Sequence, residues 1–393
     1  MIKSAKLKNF LSFGSDAAEI DLRPLNVIIG TNGSGKSNFL EVFDVLKHAP
    51  TDIGRPISAG GGVTEWIHKN RKQGDGTVLE FVVDNPLPNA RFRFRYLISF
   101  DAKLGRFFEI DDEKIESESP LPGHDVPFKV YDYANGKPIA SIKGKDEKRR
   151  FEREEFDTGK SILAQKHDSG LYPEIASLAS MFSKITLFRE WTFGPNTPLR
   201  LPQKVDMKKD FLEPDCSNVS LVLSELLRNP TTKKRLLFEL NDFYGDFEDF
   251  FIAFPGGYAE INFHERGIAK SIPLMRLSDG TIRYLCLLSI LCHPEPPPLI
   301  CLDEPELGMH PDIIPNIAKL LVEASERCQL IVTTHSKPLV DALTGTPEDI
   351  IVAEKMDMGT QLERLCKNRL KTWLEEYSLG EMWARGGIGG VRW

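Results

Sequence analysis

The feature that most constrains this chain is Gly30-Thr31-Asn32-Gly33-Ser34-Gly35-Lys36-Ser37, set between "LNVII" and "NFLEVFDVLK". It fits GxxxxGK[ST], with a further glycine at 33. Such glycines let successive backbone N–H groups turn inward at a helix N-terminus, where an anion is favoured. The apolar run before Gly30 predicts a buried strand. Phe39, Leu40, Val42, Phe43 and Leu46 predict a helix from Ser37 with one buried face. In that context Lys36 would reach the β- and γ-phosphates of a nucleotide and Ser37 would ligate Mg²⁺. Gly30, Asn32, Gly33, Ser34, Gly35, Lys36, Ser37 and Asn38 are the candidate phosphate-binding residues.

A chain with this loop must also activate water, and "PPPLICLDEPELGMHP" supplies the residue types for that. Leu299 to Leu302 reads as a buried strand with Asp303 at its C-terminal end, suited to hold Mg²⁺ through water. Glu304 directly after it can orient or deprotonate the attacking water. Upstream, "LSDGTIRYLCLLSIL" begins a helix at Ser278 and Gly280, a second anion-binding end. With one phosphate loop already present, that end has a use only on ATP held by another subunit. Its alternative is an ordinary Ser N-cap followed by an Asp-Gly turn. "QLIVTTHSKPLV" then ends a strand at His335, placed to sense a γ-phosphate.

Around these motifs the pattern changes twice. "TVLEFVVDN", "RFRFRYLISFD", "GRFFEIDDEKIE" and "FKVYDYANGKPIASI" alternate as strands, with Asn135-Gly136 a hairpin turn signal. From 161 to 250 the pattern turns helical, as in "NVSLVLSELLRN" and "KKRLLFELNDFY", and "YAEINFHERGIAKSIPL" reads as a hairpin. Strand–helix alternation at both ends implies one α/β sheet split in sequence by an insert. The charge run 143–157 reads as a solvated helix or linker.

Together the four motifs resemble the ABC-type ATPase heads of the RecF, SMC and OLD families. The "ELGMHP" segment stands as D-loop, and "KLKNFLSFGS" looks like the first strand of RecF-type heads, with residues near Asn9 and Phe13 beside the nucleotide. The chain also looks like bacterial stand-alone AAA ATPases, often found in anti-phage or toxin-linked gene pairs. The resemblance implies an α/β P-loop NTPase fold with an inserted antiparallel β subdomain and a helical lobe. It divides the chain into 1–50 and 256–360 as the two parts of the ATPase core, 51–157 as β-rich insert, 158–255 as helical lobe, and 361–393 as a helix with a Trp/Gly-rich tail. It further implies ATP and Mg²⁺ as ligands and a homodimer that sandwiches ATP, open to larger assembly. Glu304, His335 and Lys36 would be catalytic, Ser37 and Asp303 would bind the metal, and Ser278 and Gly280 would cap the partner's nucleotide. The activity implied is an ATPase switch acting on a separate protein effector, with RecF-like DNA maintenance as the alternative.

Some residues depart from that pattern. Asp279 stands where transporter heads usually carry glycine, which argues against a transporter subunit. Gln73 and Gln165 are the candidates for a Q-loop glutamine, neither in convincing context. No coiled-coil arm separates the motif halves, and the residues after His335 hold no acidic cluster for a nuclease module.

Bulk properties narrow the rest. The net charge of −7 does not indicate DNA as a partner, so duplex binding would need a local basic patch. "RFRFRY" offers one, with Arg91, Arg93 and Arg95 on one strand face, though a wet charged face is the simpler reading. The apolar run Leu285 to Cys292 is too short for a bilayer and the N-terminus has no apolar core, so a cytoplasmic protein without membrane contact is expected. Six cysteines lack CxxC pairing, and those at 286, 292 and 301 sit in apolar runs as small hydrophobes. Trp383 and Trp393 predict a docked tail, because tryptophans left in water forfeit their burial energy.

Overall fold

The computed structural model describes residues 1–16, 18–72, 74–88, 90, 92–134, 137–141, 148–150 and 156–390. The chain forms two compact units, one of Met1–Ile185, Thr346–Glu376 and Met382–Trp393, the other of Thr186–Gly345 and Tyr377–Glu381.

In the first unit an eight-stranded antiparallel sheet runs in the order Ala18–Asp21, Ile2–Lys8, Thr77–Val83, Phe94–Lys103, Phe107–Ser117, Lys129–Ala134, Lys137–Ser141 and Lys148–Arg150. The period-2 pattern sets its faces: Thr77, Leu79, Phe81 and Val83 are buried while Val78, Glu80 and Val82 are only half-buried. Strands flank Asn135-Gly136 as a hairpin requires, but the turn itself and most of the 143–157 charge run lie outside the described residues. The same unit holds the fully buried strand Leu25–Ile29, parallel to Ile350–Met356 with Ile29 opposite Val352. Ile350–Met356 turns back antiparallel into Gly359–Arg364. Helix Lys36–His48 buries Phe39, Leu40, Val42, Phe43, Val45 and Leu46. An aromatic train, Phe13 to Phe39 at 6.3 Å and Phe39 to Phe43 at 5.3 Å, ties this helix to the loop after the first strand.

One buried acid in this unit is used structurally. Glu113 has no exposed surface and accepts from the Tyr96 hydroxyl at 2.9 Å, the Ser161 hydroxyl at 2.5 Å and the Ile162 amide at 2.8 Å. Burial pushes its carboxyl up to about 7 from an ordinary 4.5, against the pull of those three donors. Between those two values the folded state binds more protons at this site than the unfolded state. Stability from Glu113 therefore falls as pH rises through the window, by about 3 kcal/mol, and is flat above it. Urea unfolding of wild type and Glu113→Gln at pH 4.5 and pH 7.5 checks this. The wild type should lose roughly 3 kcal/mol more than the variant across the interval; equal losses would contradict it.

In the second unit Thr186–Phe188, Leu299–Asp303 and Gln329–Thr333 are parallel, with Asp303 opposite Thr333. Helix Asp279–Leu291 is buried at every position from Thr281 to Leu291, and the Ser289 hydroxyl is satisfied by the Leu285 carbonyl at 2.8 Å. Helix Ile314–Ser325 turns Ile317, Leu320 and Leu321 inward. A smaller antiparallel sheet joins Gln203–Lys204, Tyr258–Glu265 and Phe247–Ala253, and Ile272–Pro273 pairs with Tyr258–Glu265 as the hairpin reading requires. The helical pattern to 250 ends too late: Phe247–Ala253 is a strand. Phe247 and Phe250 pack on Phe263 of the neighbouring strand at 5.4 and 5.7 Å, and that partnership overrides the local pattern.

Among the described residues no helix is long and apolar enough to cross a membrane. All six cysteines are free thiols, and burial pushes Cys292 and Cys328 up to about 12 and about 11, which makes both inert.

Candidate functional site

The candidate residues fall into two constellations, one in each unit. The first is the phosphate loop. Gly30 sits at the end of its strand with φ 154°, and a Cβ there would lie 2.3 Å from the Ala353 carbonyl oxygen. Gly35 has φ 101°, and a Cβ would lie 2.3 Å from Thr360 Oγ1 and 2.6 Å from Ser12 Oγ. The loop therefore rests against the Ala353 backbone at Gly30 and against the Thr360 and Ser12 side chains at Gly35, and neither glycine leaves room for a Cβ. Thr360 Oγ1 lies 2.8 Å from both the Ser34 carbonyl and Ser12 Oγ, which pins the loop from below. Thr360 carries no motif, while Ser12 lies in the "KLKNFLSFGS" segment whose residues near Asn9 and Phe13 were expected beside the nucleotide. Asn9 and Phe13 are fully buried, so Ser12, between them, is the residue that reaches the loop.

The loop's polar groups are arranged for an anion. Helix Lys36–His48 has no side-chain cap and no acid in its first turn, which leaves its first N–H groups for a ligand. Ser34 is 1% exposed and its hydroxyl has no hydrogen-bond partner. Lys36, 5% exposed, donates from Nζ to the Gly30 and Thr31 carbonyls at 2.9 and 3.0 Å. Asn32, Gly33 and Ser37 are exposed, and Asn38 is half-buried. An orphaned hydroxyl, uncapped amides and a held ammonium fit a phosphate chain, and the Ser37 hydroxyl is open to a metal bound to it.

The second constellation gathers Asp303, Glu304 and His335. Strand register brings Thr333 beside Asp303, and the Thr333 hydroxyl donates to the Asp303 carboxylate. The Glu304 amide donates to the Thr333 carbonyl at 3.1 Å, and Glu304 itself is held at φ 46°. A left-handed glutamate costs on the order of 1 kcal/mol, and such strain persists where surrounding bonds over-determine it. Glu304 Oε1 lies 3.4 Å from His335 Nε2, with both side chains about one-third exposed, at 33% and 35%. Behind them the buried Glu306 accepts from the Thr334 hydroxyl, and Thr334 in turn accepts from the Ser336 amide at 2.9 Å. Burial, with the nearby Glu304 charge adding, raises the Glu306 carboxyl above the usual range. The Trp191 indole donates to the Asp303 carbonyl at 2.9 Å, and the Arg283 guanidinium covers Phe193 at 4.9 Å. Thr333, Thr334, Glu306 and Trp191 are the supports that the motif reading missed. Two of them stand in "VTTHS" itself.

Ser278 is an N-cap here: its hydroxyl accepts from the Thr281 amide at 3.1 Å, and Asp279 already places a negative charge in that first turn. Arg200, 8% exposed, organises the segment by donating to the Phe193, Met275 and Leu277 carbonyls at 2.7, 3.1 and 2.9 Å and to Asp279. Gly280 approaches Gly308 of the "ELGMHP" segment, where a Cβ would sit 3.5 Å from its carbonyl oxygen.

Gln165 spends its amide on Asp157 and Lys160 at 2.8 to 3.1 Å, as a local loop brace, and Gln73 lies outside the described residues. The arginine stripe is neutralised: Arg93 pairs with Asp84 and Glu118, and Arg95 with Glu80 and Glu116, while Arg91 lies outside the described residues. Paired arginines on an acidic chain offer little net attraction to a phosphate backbone.

Comparison with known proteins bears on the fold and the family. The fold matches an Smc head crystallised with the C-terminal winged-helix domain of ScpA, at TM-score 0.57 and 15% identity, covering 94% of this chain and 99% of that one. It matches the Smc head of Pyrococcus furiosus with an extended coiled coil, at TM-score 0.54 and 15% identity over 95% and 98% of the two chains. The head of Pyrococcus yayanosii Smc follows at TM-score 0.52 and 11% identity, over 96% and 99%. The chain thus has the P-loop ATPase fold of SMC heads. Among curated proteins none matches it. A family model described as "AAA domain, putative AbiEii toxin, Type IV TA system" matches residues 25–342, spanning the phosphate loop, Asp303, Glu304 and His335, and the chain belongs to that family.

Proposed function

We propose that this chain is an ATP-hydrolysing switch: it binds ATP, closes on a second copy of itself through shared nucleotide sites, and thereby gates a separate protein effector in bacterial defence against phage. The observation that carries the reading is one chain holding both an uncapped phosphate loop with an orphaned Ser34 hydroxyl and a strained Glu304 beside His335. The defence role and the effector rest on kinship with the toxin-linked family.

In this reading the loop amides and Lys36 hold the triphosphate, and Ser37 and Asp303 hold Mg²⁺. The metal, when bound, neutralises charge on the phosphate oxygens. Thr333 keeps the Asp303 carboxylate oriented by its hydrogen bond. Glu304 accepts the proton of the attacking water, and the bonds from its amide to Thr333 hold its backbone at the strand end. His335 donates toward the γ-phosphate from a position set by Thr334 and Ser336. Ser278 and Gly280 face the nucleotide of the second copy, which requires the capping hydroxyl to share its bond with that phosphate.

Phosphate release from ATP tests the enzymatic half. Wild type should release phosphate with Mg²⁺ present and stop when EDTA removes the metal. Turnover unchanged in EDTA would overturn the assignment of Ser37 and Asp303, and absence of any turnover with Mg²⁺ would leave a nucleotide-binding scaffold in its place.

A further inference from the structure

Beyond the phosphate loop itself, the segment 382–390 is built onto the loop's first glycine. Met382, Trp383, Ile388 and Gly390 are buried, and the Gly386 and Gly387 amides fold back onto the Trp383 and Met382 carbonyls at 2.9 and 2.8 Å. Gly386, Gly389 and Gly390 have φ of 77°, 77° and 70°, a left-handed path that glycine takes at no steric cost. Both backbone groups of Gly390 are then used. Its amide donates to Glu354 Oε1 at 2.7 Å, and its carbonyl accepts from the Trp383 indole at 3.1 Å.

What this arrangement touches gives it meaning. A Cβ on Gly390 would lie 3.3 Å from Gly30 Cα and 3.1 Å from Val352 Cγ1, so the segment is in contact with the start of the phosphate loop. Glu354 belongs to the strand that runs parallel to the loop's own strand, and Gly30 packs on the carbonyl of the preceding Ala353. Gly30 in turn accepts from Lys36 Nζ at 2.9 Å. A continuous chain of contacts therefore runs from Trp383 and Glu354 through Gly390 and Gly30 to the ammonium that meets the phosphates. The Gly390 amide bond to a carboxylate is charge-assisted, the strong kind for fixing a backbone.

We propose that Glu354, Trp383 and Gly390 are positioning residues for the phosphate loop: they clamp Gly30 from behind, and the docking of segment 382–390 and the binding of ATP strengthen each other. The inference rests on the loop binding ATP, as proposed above. A residue that only stabilises the fold would change thermal unfolding; a positioning residue changes ATP affinity, and by linkage ATP changes the docking by the same factor.

The test has two arms. Kd and steady-state kinetics for ATP are measured for wild type, Gly390→Ala, Glu354→Ala and Glu354→Gln, with thermal unfolding in the absence of nucleotide beside them. Gly390→Ala and Glu354→Ala should each raise Kd and KM about tenfold, with kcat at saturating ATP within twofold. Glu354→Gln, which keeps an acceptor oxygen, should recover most of the affinity. In the second arm, hydrogen exchange of the amides 386–390 is followed with and without ATP. Exchange should slow about tenfold in wild type and not at all in Lys36→Ala. Should Gly390→Ala fail to fold, the two Glu354 variants and the wild-type exchange still decide. Wild type that binds ATP while the Glu354 variants keep its affinity, or while the 386–390 amides ignore ATP, overturns the inference alone. Wild type that binds no ATP overturns the proposed function and the inference with it.

Discussion

Glu304→Gln is expected to bind ATP as wild type does and to hydrolyse it about 10²- to 10⁴-fold more slowly, the usual loss when a positioned general base is removed. The amide has the shape of the carboxylate and can still lie 3.4 Å from His335, so the site keeps its geometry. What it lacks is the basic oxygen that takes a proton from water. Glu304 also stands at φ 46°, held there by two bonds to Thr333, and neither bond involves its side chain. The strain is thus retained in the variant, and any fall in turnover reports the carboxylate rather than a collapsed turn. Phosphate release under saturating ATP, set beside a binding titration, checks both halves. Turnover within twofold of wild type would assign the base elsewhere.

Lys36→Ala should weaken ATP binding about 100-fold or more and abolish measurable hydrolysis. The Lys36 ammonium is nearly buried, and the Gly30 and Thr31 carbonyls hold it within the loop, where it would meet a phosphate. A charge-assisted bond in such a place contributes about 1.5–3 kcal/mol, which corresponds to about one to two orders of magnitude in Kd. Loss of the positive charge next to four phosphate negative charges adds to this. Calorimetric titration gives the affinity, and thermal unfolding without nucleotide confirms that the variant is folded. Wild-type affinity in a folded Lys36→Ala would remove the phosphate loop from the account.

The phosphate loop was legible in the sequence because its glycines answer local backbone demands: Gly35 must be left-handed at the start of the helix, and Gly30 must lie against Ala353. Buried strands such as Leu25–Ile29 and Leu299–Asp303 announced themselves as short apolar runs between turn signals. The supports were not legible. Thr360 and Ser12 meet under Gly35 across nearly the whole length of the chain, and no spacing rule connects residues so far apart. Glu354 and Gly390 are nearer, 36 positions apart, but no motif links them either. Register decided two further points. Opposite Arg95 stands Glu116, and with Glu80 it turns a basic stripe into paired charges. Opposite Phe250 stands Phe263, and that packing makes a strand of a segment whose local pattern read as helix. Ser278 satisfied both of its readings at the sequence level, and its bond to the Thr281 amide shows the capping one in this structure.

Whether ATP joins two copies of this chain is read from mass in solution. Light scattering of Glu304→Gln and Lys36→Ala is measured with and without Mg²⁺ and ATP. Glu304→Gln should double in mass, or assemble further, only when ATP is present, while Lys36→Ala keeps one mass in both conditions. Equal masses for the two variants in the presence of ATP would contradict such joining.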